Sequence, residues 1–281
     1  MTETIAPFID PPLYQNGHLR LRRCRHGLML YNVNDRFIGT MLDLYGEFSE
    51  DENEVFRQML RPGMTVVEAG ANIGAHTVPI AQRVGPSGRM LVFEPQRSVF
   101  QILCANLALN GLEQVEPHWA GVGNADGTIS VPRLDSAQRQ NFGGLSIGGP
   151  EPGESVRLVR LDSFDLPACH LLKVDVEGME LDVLRGAADT IRRHAPVIYT
   201  ENDRADRSPA LIDHLQTQGY RCYWHLPHYV RMPNFLGNTR NEFPNLMSAN
   251  MLCVPARRNF TVNGLREVAG PQDTWNGQPP V

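Results

Sequence analysis

Residues 66–77 read VVEAGANIGAHT, and the fold follows from that run. A short β-rich segment at 64–68 passes through Gly70 and Gly74 into a helical pattern over about 73–83. The same alternation continues downstream. Strands are predicted at 89–94, 115–119, 171–176 and 196–201. A helix at 97–110 carries Val99, Ile102, Leu103 and Leu107 at helical spacing and stops at Asn110-Gly111. A second, at 179–194, puts Leu181, Leu184, Ala188 and Ile191 on one face. Pro209 opens a third, which runs to Gly219. Strands alternating with helices of this length predict an α/β doubly wound, Rossmann-like sheet, mostly parallel and covered on both faces. The last two strands, 220–224 and 250–254, have no helical pattern between them and predict an antiparallel strand at one edge.

Residues 1–60 read as an N-terminal extension, 61–256 as the main domain and 257–281 as an irregular tail. In the extension the first 15 or so residues are Pro-rich and irregular. Alternation on both sides of His26-Gly27 predicts a β-hairpin over 18–32, and Ser49-x-x-Glu52 is a capping box before a helix that ends at Pro62-Gly63. Arg20, Arg22, Arg23 and Arg25 read as a solvated strand face. Two insertions, 120–160 and 225–248, are too polar or too rich in Gly and Pro for crossover helices and are placed to wall a binding site.

Composition narrows the function. The 281 residues carry a net charge of −5 and no basic stripe, which argues against a nucleic-acid partner. No apolar run approaches the ~20 residues that span a bilayer, and the first dozen residues lack the basic and apolar regions of a signal peptide. Five scattered cysteines with no CxxC pair suit a reduced, cytoplasmic chain. The hairpin offers a homodimer surface.

In doubly wound sheets ligands bind beyond the carboxyl ends of the strands. Here the first turn has the spacing E-x-G-x-N-x-G, formed by Glu68, Gly70, Asn72 and Gly74. A dinucleotide needs glycine where backbone approaches the pyrophosphate, and Asn72 stands in that place behind a carboxylate. A carboxylate and an amide suit a cationic, zwitterionic ligand such as S-adenosylmethionine. Glu94, at the end of the second strand, is placed to accept both ribose hydroxyls.

VEAGANIGAHT (67–77), VFEP (92–95) and LLKVDVEGMELDVLRGA (171–187) together resemble the FkbM-type methyltransferase family. YGEFSEDE (45–52), FGGLSI (142–147) and SANMLCVP (248–255) extend the likeness from about Arg25 to Pro255. The resemblance implies a class I methyltransferase fold over 61–256 with S-adenosylmethionine as cofactor. It implies O-methylation of a sugar, polyketide or other small metabolite. By that likeness Glu68, Gly70, Asn72, Gly74 and Glu94 map to cofactor contacts, and Ala71, His76, Thr77, Pro95 and Asp175 complete the cofactor-binding candidates. His76 departs from the aromatic residue expected there.

Methyl transfer to a hydroxyl needs in-line geometry and often a base. Asp175 and Glu177, in VDVEG, and Glu201, ending the fifth strand, are placed as an acidic rim for the methionine ammonium and the acceptor hydroxyl. His225 is a further candidate base. Oxygen ligands on this rim would suit a divalent ion. Carboxylates on adjacent strands more often serve as hydrogen-bond acceptors, and no metal ligand is assigned from sequence. Tyr45, Glu47, Phe142, Gly143, His228 and Asn250 are substrate-binding candidates. Each has a plainer reading: Glu177 at a helix start, the loop histidines at the surface, Gly143-Gly144 as a turn. The competing functions are a nucleotide-dependent oxidoreductase and a cofactor-binding protein that has lost catalysis.

Overall fold

The computed structural model describes residues 11–145 and 152–275. The start of the Pro-rich extension, the end of the FGGLSI run and residues 276–281 of the tail lie outside the described residues.

The central sheet is built as the alternation requires. Its parallel strands are β4 (Thr65–Ala69), β5 (Arg89–Phe93), β6 (Val115–His118), β10 (Leu171–Val174) and β11 (Val197–Glu201), hydrogen-bonded in the order β11-β10-β4-β5-β6. Beyond β11 come β13 (Asn250–Pro255), β12 (Tyr220–His225) and β14 (Arg266–Glu267). The antiparallel pairing of 220–224 with 250–254 is present, but its placement differs from a simple edge. β13 runs antiparallel to both β11 and β12 and lies between them, while β14 is the antiparallel edge strand. A two-residue strand leaves no periodic signal, so residues 257–275 read as an irregular tail, yet Val268 is buried and its N–H reaches the Cys222 carbonyl.

Side chains in a strand alternate between faces, and two apolar clusters cover the sheet accordingly. Val67, Ala69, Leu172, Val174 and Ile198 face α5 (Glu180–Arg185), α6 (Ala188–His194) and α7 (Ser208–Thr217). Val66, Leu171, Val197 and Tyr199 face α1 (Ile38–Tyr45), α2 (Glu50–Met59), α3 (Thr77–Val84) and α4 (Arg97–Leu109). The helix expected over 179–194 is two helices, because Gly186 lies so close to Gly123 that a Cβ would overlap the Gly123 carbonyl. The Asp162 carboxylate caps the second from outside, accepting the Asp189 and Thr190 N–H groups at 2.9 and 2.8 Å.

The insertion at 120–160 contributes β7 (Gly121–Val122), β8 (Gly127–Val131) and β9 (Glu154–Val159), a small sheet of its own. At the N-terminus the hairpin is β2 (Leu19–Cys24) with β3 (Gly27–Asn32), and β1 (Tyr14–Asn16) adds a third strand where irregular chain was expected. The arginine face is only partly solvated: Arg20 holds the Asp43 carboxylate with 2.8 and 2.7 Å bonds and Arg22 is buried, while Arg23 and Arg25 are exposed. The capping box is altered too. Ser49 has a left-handed φ of 44°, and its hydroxyl donates to Glu52 Oε1 at 2.7 Å instead of capping a backbone N–H. No helix among the described residues is long and apolar enough to cross a membrane.

Candidate active site

Period two also places the polar residues. Glu68, Lys173 and Tyr199 are direct register partners across β4, β10 and β11, and all three point to the face that carries α2 and α3. Lys173 Nζ lies 3.3 Å from Glu68 Oε1 and 3.3 Å from Asp175 Oδ2. Thr77 donates to Glu68 Oε2 at 2.7 Å. Burial pulls the Lys173 ammonium down, but Asp175, Glu68 and Glu52 outweigh it and leave the group above its ordinary value. Lys173 is therefore a buried, fixed positive charge. Burial raises the Glu68 carboxyl, and Lys173 and Thr77 hold it back.

Glu68, Lys173 and Asp175 line the floor of a cavity of about 380 Å³ at the carboxyl ends of β4, β5, β10 and β11. Its first wall is the glycine turn. Gly70 (φ 86°) and Asn72 (φ 50°) are left-handed. A Cβ on Gly70 would overlap the Asp175 carbonyl, so only glycine lets the two strand-end loops meet. Glu94 locks this turn to the next strand. It accepts the Asn72 N–H at 3.0 Å and the Gln96 N–H at 2.8 Å, and burial lifts it to about 7 despite those bonds.

The opposite wall is acidic. Asp175 follows β10, Glu177 sits in a left-handed bend (φ 56°) and Glu201 ends β11. One carboxylate oxygen from each lies within 4.8 Å of the others. Arg204 donates to Glu177 Oε2 at 2.8 Å. Burial and the neighbouring Asp175 carboxylate raise Glu177 to about 7 and push Glu201 well above the ordinary range.

The roof comes from the extension and the long loop. Phe48 stacks on Tyr229, with ring centres 5.4 Å apart. His76 packs between Phe48 and Phe56, and burial drives it well below its ordinary value, so it is neutral. Gly143 and Gly144 close the side near Asn72, their N–H groups held by Asn141 Oδ1.

The sequence candidates divide on this geometry. Glu68, Gly70, Ala71, Asn72, His76, Glu94, Pro95, Asp175, Glu177, Glu201 and Gly143 all line the cavity. Gly74 and Thr77 stand behind its wall, Gly74 against Leu103 and Thr77 on Glu68. His225 is not brought to this cavity. It lines a second one beneath α2, where burial lowers it to about 4, and its Nδ1 meets the Tyr199 hydroxyl at 2.7 Å. Asn250 is buried beside Glu201 and His225 in register, off the cavity wall. His228 is exposed. Phe142 is a core residue whose carbonyl accepts from Gln96. Tyr45 and Glu47 hold the long loop: the Tyr45 hydroxyl accepts the Glu242 N–H and Glu47 accepts the Phe235 N–H, each at 2.7 Å.

Sequence reasoning missed Lys173, Glu52, Tyr199 and Tyr229. A lysine inside the apolar strand LLKVDV was itself a signal, because a buried charge needs a partner. Glu52 looked like a capping residue, yet it lines the cavity with its carboxyl raised to about 7 by burial.

The pattern of the methyltransferase FkbM domain matches residues 68–222, the stretch from Glu68 through the acidic rim. The chain belongs to the FkbM methyltransferase family. Its cofactor is S-adenosylmethionine, and the FkbM chain carries the class I fold expected of that cofactor. It is 30% identical over 146 residues to Methyltransferase 1 of Beauveria bassiana, covering 44% of this chain and 58% of that one. It is 29% identical over 154 residues to Methyltransferase sdnD of Sordaria araneosa, covering 43% and 59%. The aligned part thus spans a little under three fifths of these curated relatives. Among solved structures, the FkbM methyltransferase of Methylobacillus flagellatus aligns with 72% of this FkbM chain and 50% of its own, at 18% identity and a TM-score of 0.45.

Proposed function

We propose that this chain is an S-adenosylmethionine-dependent methyltransferase acting on a hydroxyl of a small metabolite. The supporting observation is one cavity that joins the Glu68–Asn72 turn and Glu94 to the Asp175, Glu177 and Glu201 rim. The residues fit the cofactor: Glu94 stands where ribose hydroxyls need an acceptor, and an acidic wall suits an ammonium and a sulfonium. When bound, the cofactor supplies an electrophilic methyl group on sulfur. The Gly70 turn and Glu94 would hold the adenosine end, and the acidic rim would take the methionine ammonium. The acceptor hydroxyl would sit against the rim under Tyr229. There a rim carboxylate would accept the hydroxyl proton and hold the oxygen toward the methyl group that the bound cofactor would supply. Glu177 and Glu201 are suited to this proton, because burial and the crowding of carboxylates raise both above their ordinary range. His225 faces another cavity, so the reading gives it no direct part.

Oxidoreductase chemistry has less support. The Asn72 N–H that would meet a pyrophosphate is already given to Glu94. Titration calorimetry with S-adenosylmethionine, S-adenosylhomocysteine and the nicotinamide dinucleotides tests the reading. Binding of the adenosyl pair, weakened in Glu94→Ala, is expected. Selective dinucleotide binding would replace the methyltransferase with an oxidoreductase. Adenosyl binding with no turnover on any hydroxylated metabolite would favour the inactive form.

The extension is read as a homodimer surface, because its outer strand leaves Leu13 and Tyr14 exposed. Sedimentation showing a monomer at all concentrations would remove that role.

A further inference from the structure

We propose that Asp175, Glu177 and Glu201 bind a divalent, oxygen-seeking cation such as Mg²⁺ or Mn²⁺, whose open positions face the cavity and take the acceptor hydroxyl. This rests on the reading of the cavity as a methyltransferase site, and it gives the rim to the ion in place of the methionine ammonium and the acceptor's proton.

Geometry carries it first. One oxygen from each carboxylate lies within 4.8 Å of the other two. Opposite ligands of one ion, with bonds of about 2.0–2.6 Å, stand up to about 4–5 Å apart, so oxygens this close can share one. The carboxylates come from the end of β11 and from the bend that follows its parallel neighbour β10, so the sheet brings the two strand ends side by side.

A second observation points to a ligand. The Glu201 side chain is buried, and its Oε2 is sealed from solvent with no hydrogen-bond donor. A buried carboxylate oxygen without a partner costs about 1–3 kcal/mol or more. Neither neighbouring cation removes the vacancy at that atom. Arg204 is engaged with Glu177 Oε2 and Lys173 with Asp175 Oδ2.

Charge agrees. Seven of the residues lining the cavity are Asp or Glu, against Lys173 as the one Lys or Arg among the described lining residues. The cofactor carries a net single positive charge, with ammonium and sulfonium set against one carboxylate. That leaves a wall rich in carboxyl oxygens where the acceptor must bind.

The test uses the full chain stripped with a chelator. Calorimetry with Mn²⁺ and Mg²⁺, and Mn²⁺ electron paramagnetic resonance, are run without cofactor and then with S-adenosylhomocysteine. One bound Mn²⁺ per chain is expected, weakened about tenfold or more in Glu201→Gln and in Asp175→Asn. Circular dichroism confirms that each variant is folded. No binding up to about 1 mM ion, the weak end of such sites, by protein that binds S-adenosylhomocysteine overturns the metal site and leaves the methyltransferase reading standing. Mn²⁺ binding unchanged in both folded variants places the ion elsewhere and also overturns it. Failure to bind S-adenosylhomocysteine strikes at the cavity reading itself.

Discussion

The Lys173 ammonium lies 3.3 Å from Glu68 Oε1, and the two side chains are 2% and 1% exposed. A charge pair so dry contributes little net stability against a well-packed apolar pair, but breaking it from one side is costly. Lys173→Met would leave Glu52, Glu68 and Asp175 facing one another without their cation. The expected loss is about 3–5 kcal/mol, read as a lower urea midpoint. Adding Glu68→Gln should restore part of it. If the double variant lost the sum of the two single effects, the two groups would not be coupled.

Stability should also depend on pH with a definite sign. Burial lifts the Glu52 and Glu94 carboxyls from 4.5 to about 7. The folded chain then holds those protons more tightly than the unfolded one. Their contribution is full below about pH 4.5 and is lost as pH rises through 7. His225 acts oppositely. Burial lowers it from 6.5 to about 4, so its contribution is lost as pH falls below 6.5. Between about pH 6.5 and 8 the carboxyls dominate, and the Tm of ligand-free protein should fall. Glu94→Gln should flatten that slope. A Tm that climbs across the interval would contradict the assignment.

Gly70→Ala tests the contact between the strand-end loops. The new Cβ would overlap the Asp175 carbonyl at a φ of 86°. A drop in Tm worth at least about 1–3 kcal/mol and loss of S-adenosylhomocysteine binding are expected. Gly85→Ala has a φ of 67° and open space around the new Cβ, so it should cost about 1 kcal/mol and keep binding. Equal effects at both sites would mean backbone strain alone is at work.

Tyr45→Phe removes the acceptor of the Glu242 N–H. About 1 kcal/mol of stability should go with it. Because Tyr45 holds the loop without touching the cavity, KM for the acceptor should rise while affinity for S-adenosylmethionine holds. A matching loss of cofactor affinity would show that the loop supports the whole site.

The parallel core was legible because each strand and helix there repeats its own period, and Gly70, Asn72 and Glu94 stand at strand ends where ligands bind. The acidic rim was legible because Asp175 interrupts an apolar strand. What was not legible depends on partners distant in sequence. Lys173 acquires meaning only when Glu68 and Tyr199 are set beside it. His225 aligns through Asn250 with Glu201 yet lines a different cavity, which no local pattern reveals. Tyr45 and Glu47 lie in a motif that resembles the family's, but their bonds run to residues 242 and 235, nearly two hundred positions away. The break at Gly186 is imposed by Gly123 and leaves the helical period intact.

The position of β13 between β11 and β12 makes the order of assembly differ from the order of the chain. During synthesis β12 emerges with no neighbour on the side of the site, because residues 250–255 have yet to be made. Glu201 faces Asn250 in the register, so the fifth strand has an open edge until that stretch arrives. Chains released before it would expose two unpaired strands flanking the acidic rim, a ready template for aggregation. A nascent protein of this design is thus committed to late closure, and the sheet beneath the cavity becomes complete only when one of its last interior strands slides home.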